Sequence, residues 1–128
     1  MAPRHWNEAF SVGNAQLDSE HRVLLGLINR LHEVGEDRDR TVQEVIESLL
    51  HYVEMHFRHE EALMRAADYP DLAVHQQHHD DFRADLAVFV LLARSDPRLA
   101  LDRMTAFLEG WFQHHVLEED GRYRPYLA

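Results

Sequence analysis

The sequence predicts an all-α protein, namely an antiparallel up-down-up-down four-helix bundle preceded by an extended N-terminal segment. Apolar residues recur at helical spacing in four consecutive stretches, and the breaks between these stretches are short. Five glycines and four prolines are few for a β-sandwich or barrel, which needs many turns. Because 128 residues make one domain's worth of chain, we expect a single domain over residues 1–128.

The beginning of the chain differs from the rest in having no clear hydrophobic period. We expect segment 1–17 to lie over the bundle as an arm, with Trp6 and Phe10 as its anchors. Asp18 and Ser19 are both plausible N-cap residues, so the first helix is predicted to begin there.

Prolines mark the beginning of two later helices. Pro70 suits the first turn of a helix, and Asp96 followed by Pro97 is a cap residue followed by proline at the first helical position. The four helices are predicted over residues 18–36, 41–67, 70–94 and 97–120.

Composition excludes several function classes. The formal net charge of −10 is a poor match for nucleic acid or for an anionic membrane surface. The absence of cysteine excludes disulfides, thiolate metal sites and thiol nucleophiles, and the absence of lysine excludes Schiff-base chemistry. No apolar run approaches the ~20 residues of a membrane span, and the first ten residues lack the core of a signal peptide. We therefore expect a cytoplasmic protein.

Eleven histidines are the abnormal feature, and helix phase sorts them into inward and outward groups. The phase predicts that five histidines and one glutamate point into the core: His21, His56, Glu60, His75, His79 and His115. The others are predicted at the surface: His5, His51, His59, His78 and His114. His32 is interpreted as a partly buried structural histidine near one end of the bundle. A solvated acidic face is predicted from Glu61, Asp80, Asp81, Glu118 and Glu119.

The inward donors favour metal binding over the alternative of a hydrogen-bonded polar core, because uncoordinated imidazoles are costly to bury. Nitrogen and oxygen donors without thiolate suit iron, zinc, copper or manganese. Five histidines and a carboxylate exceed the four ligands of one tetrahedral zinc, which indicates two metals with Glu60 between them. Asp120, five residues after His115, is a second candidate bridge, although its phase argues for it less strongly than that of Glu60.

The spacing of these residues resembles the hemerythrin family in its bacterial single-domain form, over essentially the whole chain. The matching motifs are Leu17-Asp18-Ser19-Glu20-His21, His56-Phe57-x-x-Glu60-Glu61-x-x-Met64, His75-x-x-x-His79 and Trp111-x-x-x-His115-x-x-x-x-Asp120. The resemblance implies a di-iron centre in which His75, His79 and His115 hold one iron, His21 and His56 hold the other, and Glu60 and Asp120 bridge the two.

The resemblance also implies what this centre does. These donors and a bridging oxo or hydroxo group fill all but one position of two six-coordinate irons, so the iron with two histidines keeps an open site. Dioxygen is then expected to bind reversibly there as hydroperoxide, for carriage, storage or sensing, and small anions such as azide are expected to compete. The walls of this pocket are expected to be Leu24, Leu25, Ile28, Trp111 and Phe112.

Phe112 departs from the family pattern, in which an aliphatic residue, commonly leucine, follows the tryptophan. Two interpretations stay open: the phenyl ring narrows the route to the open site, or it packs between helices without affecting the pocket. Pocket size and ligand kinetics depend on which is correct, whereas the metal-ligand set is intact.

An oxygen-binding protein is favoured over an enzyme by two features. The Glu-x-x-His motif of ferritin-like oxidases does not occur in the chain, and the expected pocket walls offer no general acid. The alternatives are a di-iron peroxidase or NO-handling enzyme and an oxygen-sensing module. A monomer is expected.

Overall fold

The computed structural model describes residues 5–127, and within them the protein is an all-α bundle without strands. Its four long helices are α1 (Ala15–His32), α2 (Arg38–Ala66), α3 (Leu72–Ser95) and α4 (Pro97–Trp111). A π-helical segment (Phe112–Glu119) and a short helix, α5 (Asp120–Tyr123), continue directly from α4. Single turns of 3₁₀-helix lie at Glu8–Phe10 and Arg124–Tyr126. The predicted four-helix bundle is confirmed.

The helices pack around a core that runs the length of the bundle. α1 contacts α2 and α4, and α3 also contacts α2 and α4, so helices adjacent in sequence are adjacent in space. The main core is supplied by all four helices, and a second, smaller group of buried residues lies beside it: Val12, Leu17, Met64, Tyr69 and Tyr123. No helix in the described part of the chain is both long and apolar enough to cross a membrane.

Asp18, which the sequence suggested as the cap of α1, instead attaches the N-terminal arm to this helix. The N-cap is Asn14, whose side chain accepts a hydrogen bond from the backbone of Leu17 at 3.0 Å, so α1 begins at Ala15 rather than at residue 18. Asp18 lies inside the helix and accepts hydrogen bonds from the Ser11 hydroxyl (2.6 Å) and the Val12 backbone (2.9 Å). The arm is therefore shorter than predicted, and its hydrogen bonds to Asp18 hold it against α1.

Trp6 and Phe10 anchor the arm as predicted. Both are partly buried against the main core. Their rings pack edge to face at 5.7 Å, and Phe10 packs in the same way on Phe112 at 5.7 Å. The guanidinium of Arg22 lies 4.5 Å from the centre of the Trp6 ring. The arm thus covers the side of the bundle where Phe112 lies.

Several other helix ends differ from the predicted bounds. α1 ends at His32, before Gly35, and α2 begins at Arg38 rather than at residue 41. Pro70 precedes α3, which begins at Leu72. The predicted beginning of α4 is correct: Asp96 caps it by accepting from the Leu99 backbone at 3.1 Å, and Pro97 is its first residue.

The largest departure is at the end of α4. The sequence predicted one α-helix to residue 120, but the α-helix ends at Trp111 and eight residues of π-helix follow. A π-helix has hydrogen bonds from residue i to residue i+5, and it is found frequently at functional sites. This change of helix type occurs where two of the predicted site residues lie.

Candidate metal centre

The seven predicted ligands converge in one buried cluster. They come from α1, α2, α3 and the segment that continues α4. His21 comes from α1, His56 and Glu60 from α2, and His75 and His79 from α3. The continuation of α4 supplies His115 and Asp120. All seven side chains are buried, and Glu60 and Asp120 are completely so.

Glu60 lies between the two sets of histidines, with one carboxylate oxygen towards each set. Its Oε1 lies 2.8 Å from His75 Nε2 and 2.9 Å from His79 Nε2. Its Oε2 lies 3.5 Å from His21 Nε2 and 3.4 Å from His56 Nε2. A carboxylate with its oxygens divided in this way can contribute one donor to each of two metal ions.

Asp120 has the same divided arrangement from the opposite end of the chain. Its Oδ1 lies 2.8 Å from His75 Nε2 and 3.1 Å from His115 Nε2, and its Oδ2 lies 3.1 Å from His21 Nε2. The backbone N–H of Asp120 donates to the carbonyl of His115, five residues earlier. The π-helix therefore brings Asp120 and His115 to the same site, which an α-helix with 3.6 residues per turn does not do.

Three members of the cluster have polar atoms that the described protein leaves unsatisfied. Both ring nitrogens of His21 and of His115, and both oxygens of Asp120, are buried without a hydrogen-bond partner among the described residues. Several of these atoms approach one another closely but lack hydrogen-bond alignment. Buried polar groups are normally paired, so unpaired donors converging on one point fit metal ions.

The donor atoms fall into two groups, each compact enough for one ion. Glu60, His75, His79 and His115 form one group, and the donor atoms within it all lie within 4.8 Å of one another. The second group meets the same distance limit and consists of His21, His56, Glu60 and Asp120. Glu60 belongs to both, and the nitrogen and oxygen donors suit borderline and hard divalent metals.

The electrostatics show what the cluster does when no ion neutralises the carboxylates. Burial lowers the pKa of His21 and His75, but contact with Asp120 and Glu60 outweighs burial and raises the pKa of both imidazoles to about 10. Burial raises the pKa of Glu60, but the surrounding histidines hold that pKa well below its ordinary range. The metal-free site therefore takes up protons where metal ions would bind.

Glu20 holds the second nitrogen of one predicted ligand, and sequence reasoning missed this role. Its Oε1 accepts from His56 Nδ1 at 2.8 Å, and its Oε2 accepts from His59 Nδ1 at 2.7 Å. A carboxylate on the second nitrogen of a metal-binding imidazole fixes the tautomer and leaves Nε2 free for the metal. The available signal was that Glu20 falls at a core position of α1, between Leu17 and Leu24.

Glu61 was predicted to lie on a solvated acidic face, and this prediction is wrong. The side chain is 19% exposed, its Oε2 accepts from His79 Nδ1 at 2.7 Å, and its Oε1 accepts from Gln76 at 3.0 Å. Glu61 therefore orients His79 as Glu20 orients His56. Helix phase alone could not show this, because a side chain at the edge of the apolar stripe can reach inward to a neighbouring helix.

Aromatic rings pack flat against three of the cluster's imidazoles. Phe57 stacks on His79 with ring centres 3.7 Å apart, Trp111 on His115 at 3.9 Å, and Tyr52 on His56 at 5.1 Å. The rings restrict rotation of the imidazoles. They also exclude water from the cluster, which strengthens its electrostatic interactions.

The remaining histidines lie largely as predicted. His5, His51 and His114 are exposed, whereas His59 and His78 are partly buried, with 34% of each side chain exposed. His32 is partly buried and pairs with Glu109, in agreement with the structural role predicted for it.

The five residues expected to form pocket walls have different surroundings. Leu24, Leu25 and Ile28 follow His21 on α1 and are buried in the main core. Phe112 is completely buried against Phe10. Trp111 is partly exposed, and it is the one of the five that lines a surface groove beside His115.

Fold and site together define a helical-bundle protein with a buried cluster of imidazoles and carboxylates suited to cations. The family model described as hemerythrin HHE cation binding domain matches residues 12–127. This chain belongs to the hemerythrin family.

Relatives and solved structures agree with this membership. The chain is 32% identical to a bacteriohemerythrin of Ralstonia nicotianae, over 96% of this chain and 88% of that protein. It is 29% identical to a hemerythrin-like protein of Naegleria gruberi, over 98% of this chain and 95% of the relative. The crystal structure of wild-type hemerythrin superposes with a TM-score of 0.85 at 26% identity, covering 98% of both chains.

Proposed function

We propose that this protein binds dioxygen reversibly at a non-haem di-iron centre and serves in oxygen carriage, storage or sensing. One observation carries the proposal: Glu60 and Asp120 each direct one oxygen towards each of two histidine sets. Two carboxylates shared in this way describe a site for a pair of metal ions. Membership of the hemerythrin family supports iron as the metal.

The distances and the family membership both support the proposed ligand sets. His75, His79 and His115 would hold one iron, His21 and His56 would hold the other, and Glu60 and Asp120 would each offer an oxygen to both. An iron held by His21 and His56 would have one fewer protein ligand, which would leave room for a small exogenous molecule. Dioxygen, or a small anion such as azide, is the proposed occupant.

A pair of ferrous ions held by these residues would supply the two electrons that reversible binding of dioxygen requires. The protein contributes position and dryness. Glu20 and Glu61 hold His56 and His79 by their second nitrogens. Leu24, Leu25, Ile28 and Phe112 are buried in the main apolar core, and their proposed role is to line the pocket and exclude the water that promotes loss of reduced oxygen species.

The buried phenols support binding rather than reductive cleavage of dioxygen, because cleavage needs proton donors. Burial, reinforced by the charges of Glu60 and Asp120, raises the pKa of Tyr52 and of Tyr123 well above the usual value. The Tyr123 hydroxyl also donates to Glu60. Both groups therefore keep their protons at neutral pH, and neither acts readily as a general acid.

Stoichiometry and turnover test the proposal together. The protein loaded anaerobically with ferrous iron should contain two irons per chain and take up one dioxygen per pair. With an excess of reductant present, oxygen consumption should stop after that single uptake. Continued consumption would instead identify an oxidase, and a single iron per chain would contradict the di-iron site.

A pair of variants assigns the result to the cluster. Glu60→Ala removes a donor from both ions and should abolish paired iron binding. His114→Ala removes an exposed imidazole next to His115 and should leave two irons bound.

A monomeric state and a cytoplasmic location stay predictions.

A further inference from the structure

A surface groove reaches the three-histidine side of the cluster from outside the bundle. Its volume is about 260 Å³, and it lies between α3 and the π-helical segment. Among the residues that line the groove are His115, a ligand of the proposed centre, and Trp111, whose ring stacks on it. The full lining is His78, Asp81, Trp111, His114, His115, Glu118 and Glu119. The proposed function gives this groove no task, because the open position belongs to the iron held by His21 and His56.

The floor of the groove connects the surface with the metal cluster. Trp111 is partly exposed and stacks on buried His115, with ring centres 3.9 Å apart and planes 14° apart. His115 Nε2 lies 3.1 Å from Asp120 inside the cluster. Two aromatic rings in contact thus connect the protein surface with the cluster, and the inner ring, His115, is itself a proposed metal ligand.

His115 also carries a polar atom that nothing in the described protein satisfies. Its Nε2 faces the cluster, which leaves Nδ1 on the other edge of the ring, and Nδ1 is buried without a hydrogen-bond partner. The comparable nitrogens of His56 and His79 are held by Glu20 and Glu61. His115, a lining residue of the groove, therefore lacks the carboxylate that holds the other two ligands, and the stacked ring of Trp111 packs against it instead.

The rim of the groove is acidic. Asp81 and Glu118 are exposed, and neither forms an ion pair with arginine among the described residues. Glu119 is partly buried, and Arg122 offsets its charge at 3.3 Å. No arginine lines the groove, and the whole chain carries a net charge of −10. This rim attracts a positively charged surface.

The size of the groove decides between a free small molecule and a protein. Pockets that enclose an organic cofactor typically measure about 300–1,000 Å³, and this groove is smaller. The groove therefore suits an electron donor or acceptor that stays outside, with the edge of its cofactor against the exposed part of Trp111. A redox protein fits that requirement, and its contact area can be small because electron-transfer encounters are transient.

We propose that this groove docks a small redox protein with a basic face, and that electrons pass between the partner and the iron pair through Trp111 and His115. The inference rests on the proposed di-iron function. Each electron that enters converts one ferric ion to ferrous and oxidises the partner's cofactor by one electron, and the reverse transfer does the opposite. Two such transfers restore an oxidised centre to the form that binds dioxygen.

The test uses ferricytochrome c as a basic one-electron acceptor. The anaerobic, iron-loaded, reduced protein is mixed with it, and cytochrome reduction is followed by absorbance over a range of ionic strength. Asp81→Asn/Glu118→Gln removes two charges from the rim, and Glu36→Gln/Asp37→Asn removes two exposed charges from the loop between α1 and α2. Ferricyanide, an anion, is the comparison oxidant for all three proteins.

Wild-type protein should reduce two equivalents of ferricytochrome c per chain, at a rate that falls as salt is added. The rim variant should react about threefold to tenfold more slowly at low salt, in the range that steering by two local charges supports. The loop variant should stay near the wild-type rate. Equal slowing of both variants, or of neither, would overturn the docking site. Failure of ferricyanide to remove two electrons per chain would overturn the di-iron function itself.

Discussion

The hydroxyl of Tyr123 donates a hydrogen bond of 2.8 Å to Oε2 of Glu60, across 63 residues of sequence. Both side chains are completely buried. The bond ties α5, at the end of the chain, to the carboxylate at the centre of the cluster. Because Asp120 begins α5, the same contact also holds the second shared carboxylate in place.

Tyr123→Phe should lower the free energy of unfolding of the metal-free protein by about 1.5–3 kcal/mol, as expected for a hydrogen bond to a charged acceptor. The matched control is Tyr52→Phe, because the buried Tyr52 hydroxyl has no partner among the described residues. We expect no loss of stability from that change. Urea unfolding of the chelator-treated proteins measures both, and equal losses would show that the Tyr123 bond contributes nothing special.

Glu61→Ala should weaken iron binding about 10–100-fold, because His79 loses the acceptor that orients it. Glu61→Gln keeps an oxygen acceptor at the same position and should lose less. Asp80→Ala is the control, since Asp80 is exposed and pairs with Arg83 at the surface. Competition with a chelator gives the affinities, and a loss as large for Asp80→Ala would point to overall charge rather than orientation.

Phe112→Leu should speed the entry of azide into the oxidised protein. Phe112 is completely buried beneath Phe10, so a smaller side chain opens space on the side of the bundle that the arm covers. Phe89→Leu is the control, because it makes the same replacement on α3, where Phe89 packs on Phe107. Stopped-flow azide binding compares the three proteins. Unchanged rates in the Phe112 variant would assign the ring to packing alone.

The stability of the metal-free protein should depend on pH in both directions. The pKa values of His21 and His75 are raised from 6.5 to about 10, so their contribution is present below pH 6.5 and is lost as pH rises through about 10. The lowered pKa of Glu60 gives a contribution that is present above 4.5 and is lost as pH falls below that value. Denaturant titrations in the presence of chelator should therefore show the highest free energy of unfolding between about pH 4.5 and 6.5. A constant free energy of unfolding from pH 6.5 to 10 would contradict the assignment.

Much of the fold was predictable because helix phase responds strongly to burial. The inward phases of His56, His79 and His115 came from one rule, a turn of about 100° per residue, and the structure brings these residues together. Their role as metal ligands stays a prediction. Asp120 could not be placed by that rule, because the rule assumes an α-helix and the chain between His115 and Asp120 is π-helical.

The residues that orient the ligands were harder to predict because their roles depend on contacts between helices. Glu20 and His56 are 36 residues apart, and nothing in either motif specifies which neighbouring carboxylate the imidazole meets. Asp18 similarly resembled a helix cap, and only the path of the arm shows that it binds Ser11 and Val12 instead. Local sequence determines helix phase, but the packing of elements determines these partners.

Reversibility is the most direct test of the central claim. The protein is reduced anaerobically with two irons bound, exposed to air, and then returned to an oxygen-free atmosphere while its visible absorption is recorded. We expect a charge-transfer band to appear in air, to disappear on degassing, and to return through repeated cycles without added reductant. A band that persists after degassing, or that returns only when reductant is supplied, would contradict reversible oxygen binding.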